Sequence, residues 1–242
     1  MSKPDLHSDS NSTQNFLEGL QDSIVRRLSR TQLSRDEPIV YEFTNDRALL
    51  HQYYHIREIM YRKTANAHRM GDEDVYDKLG HILIARRGKL CIGGCRLIIR
   101  EADEDFMLPM ESSDFKLRNV FPNLPLKKLR HGEISRFAIM DDDDDKMEIM
   151  LAISQLIIEK CISSDLGYVF FKSYLSMSRN WRKIIYTHCG QKNVRICTEI
   201  KVPENPMLPE ITWYITEVRL PAAEVTPLYD NMLARPIASL VH

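Results

Sequence analysis

The sequence predicts one α/β (α+β) domain, a mixed central sheet flanked by helices. Three observations carry this. Strand-like apolar runs and 3.6-period amphipathic runs alternate through the second half of the chain, the pattern of a sheet with helical crossovers. An earlier pair of strand-like runs is joined by a tight turn, so part of the sheet is antiparallel. The 242 residues, 43% hydrophobic and 28% charged, suffice to bury one real core.

Taken in order, residues 1–13 are rich in Ser, Asp and Asn and are expected to be disordered. Residues 14–34 carry an apolar stripe (Phe16, Leu17, Leu20, Ile24, Leu28) and read as a helix whose last turns hold Arg26, Arg27 and Arg30. Packing on its own domain is favoured over a role as a membrane or partner helix. The main domain spans 37–220, and the tail 221–242 is weakly patterned. Within the domain, Pro38–Phe43 reads as a strand, and Asn45 or Asp46 can cap a helix through Leu49, Tyr53, Ile56 and Met60. A polar connector, Thr64–Asp77, follows. His81–Arg86 and Leu90–Ile99 form a hairpin about Arg87-Gly88-Lys89, with Gly93-Gly94 marking a bulge or a close backbone approach. Residues 101–130 lose periodicity but hold apolar anchors, as a lid, a binding loop or a small subdomain does. Asp141–Asp145 precede a strong helix, where acids suit the helix dipole. Tyr168–Leu175 is a buried strand, Ser178 a helix cap, and Val194–Val202 and Thr212–Leu220 are two further strands.

Composition excludes several classes. Net charge is −1, so the chain as a whole is no nucleic-acid binder. No apolar run reaches the ~18 residues of a membrane span, and the N-terminus lacks the apolar core of a secretory signal, so a cytoplasmic location is expected. The five cysteines have scattered spacing and no accompanying His pair. They read as buried free thiols, with no metal site.

The stretch that points to chemistry is His131–Ile139, HGEISRFAI. Ile134, Phe137 and Ile139 are apolar, while Glu133, Ser135 and Arg136 place an acid, a hydroxyl and a guanidinium inside a half-buried strand. Charges are seldom buried unless they are paired or used. A local ion pair of Glu133 with Arg57, Arg96 or Arg136 is the structural alternative to a catalytic acid–base group.

Five motifs in order resemble the acyl-homoserine lactone (autoinducer) synthases and the related N-acyl amino acid synthases, a branch of the GNAT acyltransferases. Arg57 and Tyr61 match an Arg-x-x-x-aromatic on the first helix of the domain. Asp74 and Asp77 keep the spacing of a Glu-x-Asp-x-aromatic-Asp region. Gly93-Gly94 followed by Arg96-Leu97 matches Gly-x-x-Arg-Leu, and Met107-Leu108 with Phe121-Pro122 echo the loop beyond. Glu133-Ile134-Ser135-Arg136-Phe137 matches Glu-x-Ser-Arg-Phe, the most specific of the set. The resemblance covers about residues 38–220. Two departures favour the amino acid synthases over the lactone synthases. No Trp occurs near Ala67, where the lactone enzymes carry one for S-adenosylmethionine, and Tyr61 replaces the usual Phe.

The resemblance implies a GNAT-like fold and transfer of a fatty acyl group from a thioester to an amine. It implies Glu133 as base, with Ser135 and Arg136 at the reacting groups. Arg57, Tyr61, Asp74, Asp77, Arg96 and Phe121 are implied to shape the substrate site. No permanently bound cofactor is expected. The donor is an acyl-phosphopantetheine thioester, on an acyl carrier protein in preference to coenzyme A, because Asp141–Asp145 would repel the several phosphates of coenzyme A. An acidic carrier needs a basic docking face, for which Lys127, Lys128, Arg130, Arg179, Arg182 and Lys183 are candidates. A lactone synthase, a coenzyme A-dependent acetyltransferase and a non-catalytic GNAT-like module stand as alternatives.

Overall fold

The computed structural model describes residues 37–65, 72–140, 145–204 and 210–220. The expected disordered N-terminus 1–13, the helix 14–34 and the tail 221–242 lie outside the described residues, as do Ala67, Asp141–Asp144, Pro206 and Pro209.

The elements run β1 (Ile39–Phe43), α1 (Arg47–Ala65), β2 (His81–Arg87), β3 (Leu90–Arg100), α2 (Leu117–Val120), β4 (His131–Ile139), α3 (Lys146–Ser163), β5 (Tyr168–Tyr174), α4 (Leu175–His188), β6 (Val194–Cys197) and β7 (Trp213–Arg219). One seven-stranded sheet has the order β1-β2-β3-β4-β5-β7-β6. Every neighbouring pair is antiparallel except β4 and β5. A parallel pair needs a crossover, and α3 provides it.

Local chemistry sets the boundaries. Asp46 caps α1, its carboxylate accepting from the N–H of Ala48 at 2.7 Å and of Leu49 at 3.2 Å. Gly88 turns the β2–β3 hairpin at φ +54°, a conformation that suits glycine. At Gly94 a Cβ would lie 2.5 Å from the Leu83 carbonyl oxygen and 3.0 Å from the Tyr53 ring. Glycine there lets α1 lie close on the sheet, and the register slips beside the pair, at Ile92 against β2 and at Cys95 against β4, so the expected bulge and close approach occur together.

The sheet buries two faces. Beneath one, Ile149, Ile153, Ile157 and Cys161 of α3 and Trp181 and Ile185 of α4 meet Leu83, Cys95, Leu97, Ile134, Val169 and Phe171. Each such fully buried side chain contributes about 1.5–3 kcal/mol. The other face is shared. Tyr53 and Ile56 of α1 cover Ile82, Ile84 and Ala138, while Leu108, Met110, Phe115, Leu117 and Phe121 of the 101–130 segment cover Ile98, Phe170 and Ile215.

Two expected boundaries shift. α4 starts at Leu175, so Ser178 lies inside the helix rather than capping it. Its buried hydroxyl is 2.7 Å from that of Ser173, so the two satisfy each other without a cap. β6 stops at Cys197 rather than Val202, since its pairing with β7 ends at the Cys197/Ile215 rung.

Candidate active site

The site lies on the sheet face shared by α1 and the 101–130 segment, and a bulge in β4 builds it. Between Gly94/Ala138 and Arg96/Ser135 the register slips, so Arg136 and Phe137 together oppose Cys95. Arg136 takes φ +60°, a left-handed conformation costing a non-glycine residue about 1–2 kcal/mol. Strict alternation would send Arg136 into the α3/α4 core. The bulge keeps Ser135 and Arg136 on one face and returns Phe137 to the core, edge-on to Trp181 with ring centroids 5.1 Å apart. The Tyr53 hydroxyl donates to the Arg136 carbonyl and pins the bulge to α1. Burial pushes that phenol well above its ordinary pKa.

Three arginines and two aspartates interlock there. Arg57 donates from Nη1 to both carboxylate oxygens of Asp77 at 2.9 Å, and from Nη2 to the Asp72 carbonyl at 2.9 Å. Its guanidinium also lies 5.4 and 5.0 Å from the ring centroids of Tyr53 and Tyr54. Arg96 donates to Asp74 at 2.6 Å, to Asp77 at 2.8 Å and to the Ser135 hydroxyl at 3.3 Å. Arg136 donates to Asp74 at 2.9 Å and sits 5.9 Å from the Tyr61 ring centroid. The three-residue spacing of Asp74 and Asp77 has a local cause. Asp74 Oδ1 accepts from the N–H of Tyr76 and Asp77, and Asp77 Oδ2 accepts from that of Asp74, so the turn orients both carboxylates. Burial raises the Asp74 pKa, but Arg96 and Arg136 outweigh it and hold the carboxyl below its ordinary value. Arg57 and Arg96 are fully buried, and pairing makes that tolerable.

Glu133 is a different kind of charge. It is 3% exposed, and among the described residues no arginine forms an ion pair with it. Its Oε2 accepts from the Met110 N–H at 2.7 Å. Burial pushes its pKa up to about 7, opposed by that N–H, by Arg96 and Arg136, and by the Ser135 hydroxyl. Such a carboxyl exchanges a proton near neutral pH. The direct ion pair expected as the structural alternative is therefore not what holds Glu133. Pairing of β4 with β5 ends at Glu133/Phe170, although β4 runs on to Ile139 and β5 to Tyr174. The acid thus stands where the two strands part.

A second buried cluster, absent from the sequence reading, fixes the segment that holds Met110. Arg100 donates to Glu111 at 2.6 Å, to the Phe106 carbonyl at 3.0 Å and to His131 Nε2 at 2.9 Å. Glu111 also accepts from the N–H of Leu108 at 2.9 Å and of Leu117 at 2.7 Å. Burial lowers the His131 pKa, which suits a neutral ring whose Nδ1–H donates to the Leu129 carbonyl at 2.9 Å.

The other sequence candidates lie apart from the charged network. Phe121 is buried in the apolar cluster of the 101–130 segment, 5.3 Å from Phe170 between ring centroids. Arg179, Arg182 and Lys183 are exposed on α4, and Lys127 and Lys128 are exposed before β4. Arg130 is engaged with both Glu101 oxygens at 2.7 Å. A cleft of about 290 Å³ lies beside Asp103, Glu104, Lys116 and Lys127, and Glu133 is not among its walls. All five cysteines are free thiols, with burial pushing Cys91 and Cys189 up to about 12, so none supplies a thiolate near neutral pH. Among the described residues no group of His, Cys, Asp and Glu could hold a metal ion, and no helix is long and apolar enough to cross a membrane.

No protein-family model and no curated protein matches the sequence. Solved structures do match the fold. The AHL synthase LasI superposes with a TM-score of 0.51 at 13% identity, over 76% of this chain and 91% of that one. FeeM, an N-acyl amino acid synthase from uncultured soil microbes, superposes at 0.50 and 9% identity, over 76% and 91%. MesI, a CoA-dependent acyl-homoserine lactone synthase, superposes at 0.50 and 16% identity, over 76% and 90%. The fold is the GNAT-like N-acyltransferase fold, as the motifs imply.

Proposed function

We propose that this chain is an N-acyltransferase that moves a fatty acyl group from the phosphopantetheine thioester of an acyl carrier protein to the amino group of an amino acid. The observation that carries the reading is Glu133, a buried carboxyl with its pKa pushed up to about 7 beside Arg96 and Arg136, where β4 and β5 part. A base with a pKa near the working pH is the group that an amine nucleophile needs. The amine enters along the face bounded by Arg57, Tyr61, Asp74, Asp77 and Arg96, and its nitrogen attacks the thioester carbonyl carbon. Glu133 takes the amine proton, directly or through one water. The tetrahedral oxyanion collapses, the C–S bond breaks, and the departing thiolate regains the proton from Glu133. Ser135, oriented by Arg96, faces the thioester oxygen. Phe121 and Phe170 offer an apolar wall for the acyl chain. Of the cations, Arg179, Arg182 and Lys183 follow the end of β5 where the two strands part and suit an acidic carrier, while Lys127, Lys128 and Arg130 precede β4 at the other end of that pair.

The test is mass spectrometry of organic extracts from a bacterium expressing this chain, beside its Glu133→Ala variant. New N-acyl amino acids made by the intact chain alone are expected. N-acyl homoserine lactones in their place would move the acceptor to S-adenosylmethionine. No new acylated amine, with the protein folded, would overturn the reading.

A further inference from the structure

β5 reads YVFFKSY, and its one charged side chain is Lys172. Val169 and Phe171 face the α3/α4 core, so Phe170, Lys172 and Tyr174 share the face of Glu133. Glu133 and Phe170 form the last β4–β5 rung. Lys172 lies two residues beyond that rung on β5, where the two strands part.

Lys172 is half-buried, and its surroundings leave its charge largely unmatched. Nζ lies 5.4 Å from the centroid of the Trp213 ring and 3.4 Å from the Pro203 carbonyl oxygen, a long hydrogen bond. Among the described residues it forms no ion pair. The arginines nearby differ, since Arg57, Arg96 and Arg136 are each committed to Asp74 or Asp77. Burial lowers the Lys172 pKa, and the Glu133 charge acts against that. Beside it, the buried indole Nε1 of Trp213 has no acceptor among the described residues. A buried donor without an acceptor is costly unless something fills the place. An ammonium and an indole N–H together suit a carboxylate, and both belong to the sheet face of Glu133, just past the last β4–β5 rung.

We propose that Lys172 and the Trp213 indole N–H seat the carboxylate of the acceptor while its amine faces Glu133, so that the acceptor class is amino acids with an unblocked carboxylate. The proposal rests on the amino acid acylation proposed above and goes beyond it by assigning the carboxylate site.

The experiment uses the purified full chain, a carrier protein loaded with a fatty acyl thioester, and a panel of free amino acids. The best acceptor is then offered as the acid, the carboxamide and the methyl ester, to the wild type and to Lys172→Met, Lys172→Arg and Trp213→Phe variants. The wild type is expected to favour the acid by about 10- to 100-fold in kcat/KM, the worth of a charge-assisted hydrogen bond. Lys172→Met is expected to raise KM for the acid by that factor and leave the carboxamide within about twofold, with Lys172→Arg retaining most of the preference. Trp213→Phe keeps a ring and is expected to lose a few-fold on the acid alone. If the wild type acylates amino acids but takes acid and carboxamide equally, or if Lys172→Met keeps the preference, the carboxylate site is wrong while the acyl transfer stands. If the wild type acylates no amino acid at all, both fall. The acid-to-amide comparison on the wild type does not depend on any variant folding.

Discussion

Replacing Glu133 by Gln separates what this acid does for the chemistry from what it costs the fold. A glutamate carboxyl that would titrate near 4.5 titrates here at about 7. Between those values the folded chain holds a proton that the unfolded chain has released. Stability therefore falls as pH rises from about 4.5 to about 7 and stays at the lower level above. At about 1.4 kcal/mol for each tenfold in proton affinity, the difference is about 3 kcal/mol. Glutamine keeps an oxygen to accept from the Met110 N–H but has no proton to release. Glu133→Gln is thus expected to match the wild type near pH 4.5 and to exceed it by about 3 kcal/mol at pH 8. Acyl transfer should fall by about 10²-fold or more. Urea denaturation at pH 4.5, 6, 7 and 8 reads the first effect, and wild-type kcat/KM, rising about tenfold per pH unit towards pH 7, reads the second. A stability offset independent of pH, or a variant no more stable at pH 8, would refute the reasoning.

Asp77→Asn removes the carboxylate shared by buried Arg57 and Arg96, and is expected to cost about 3–5 kcal/mol in denaturant unfolding. Gly94→Ala drives a methyl to 2.5 Å from the Leu83 carbonyl oxygen and 3.0 Å from the Tyr53 ring. It should cost about 1–3 kcal/mol and, by displacing the hydroxyl that pins the Arg136 carbonyl, lower acyl transfer as well. Phe121→Ala opens a void against Phe170 and is expected to cost about 3–5 kcal/mol, with unchanged stability counting against its place in the core.

The alternation of polar and apolar residues in His131–Ile139 was legible, and so was its flaw. Ile134 and Phe137 are three apart, where a regular strand would space them by two. That extra residue is the bulge, and it puts Ser135 and Arg136 side by side. Arg57, Asp74, Asp77 and Arg96 could be grouped from sequence only through the family resemblance that their motifs carry. Glu111 could not, since it lies in an aperiodic run where nothing marks one acid as buried. Arg100 and His131 stand at strand ends, where polar residues ordinarily meet water, and only the fold turns them inward. Lys172 did leave a signal, a lone cation in an apolar strand, but its neighbour Trp213 belongs to a strand far along the chain. Ser178 misled because a serine before an apolar stripe resembles a cap even when a second serine has already satisfied it.

The single parallel pairing divides the sheet into two antiparallel blocks, β1-β2-β3-β4 and β5-β7-β6, joined by three rungs from His131/Tyr168 to Glu133/Phe170. The first block is a run of sequence neighbours whose strands carry Arg96, Arg136 and Glu133, while α1 and the turn before β2 bring Arg57, Asp74 and Asp77 to it. The second block cannot close in order, because β7 inserts between β5 and β6. The groups at its end of the opening, Lys172 and Trp213, meet only when β7 arrives. A molecule bound across the seam touches both blocks and ties them together. It should raise the cooperativity of unfolding as well as its midpoint, since neither block can then open alone.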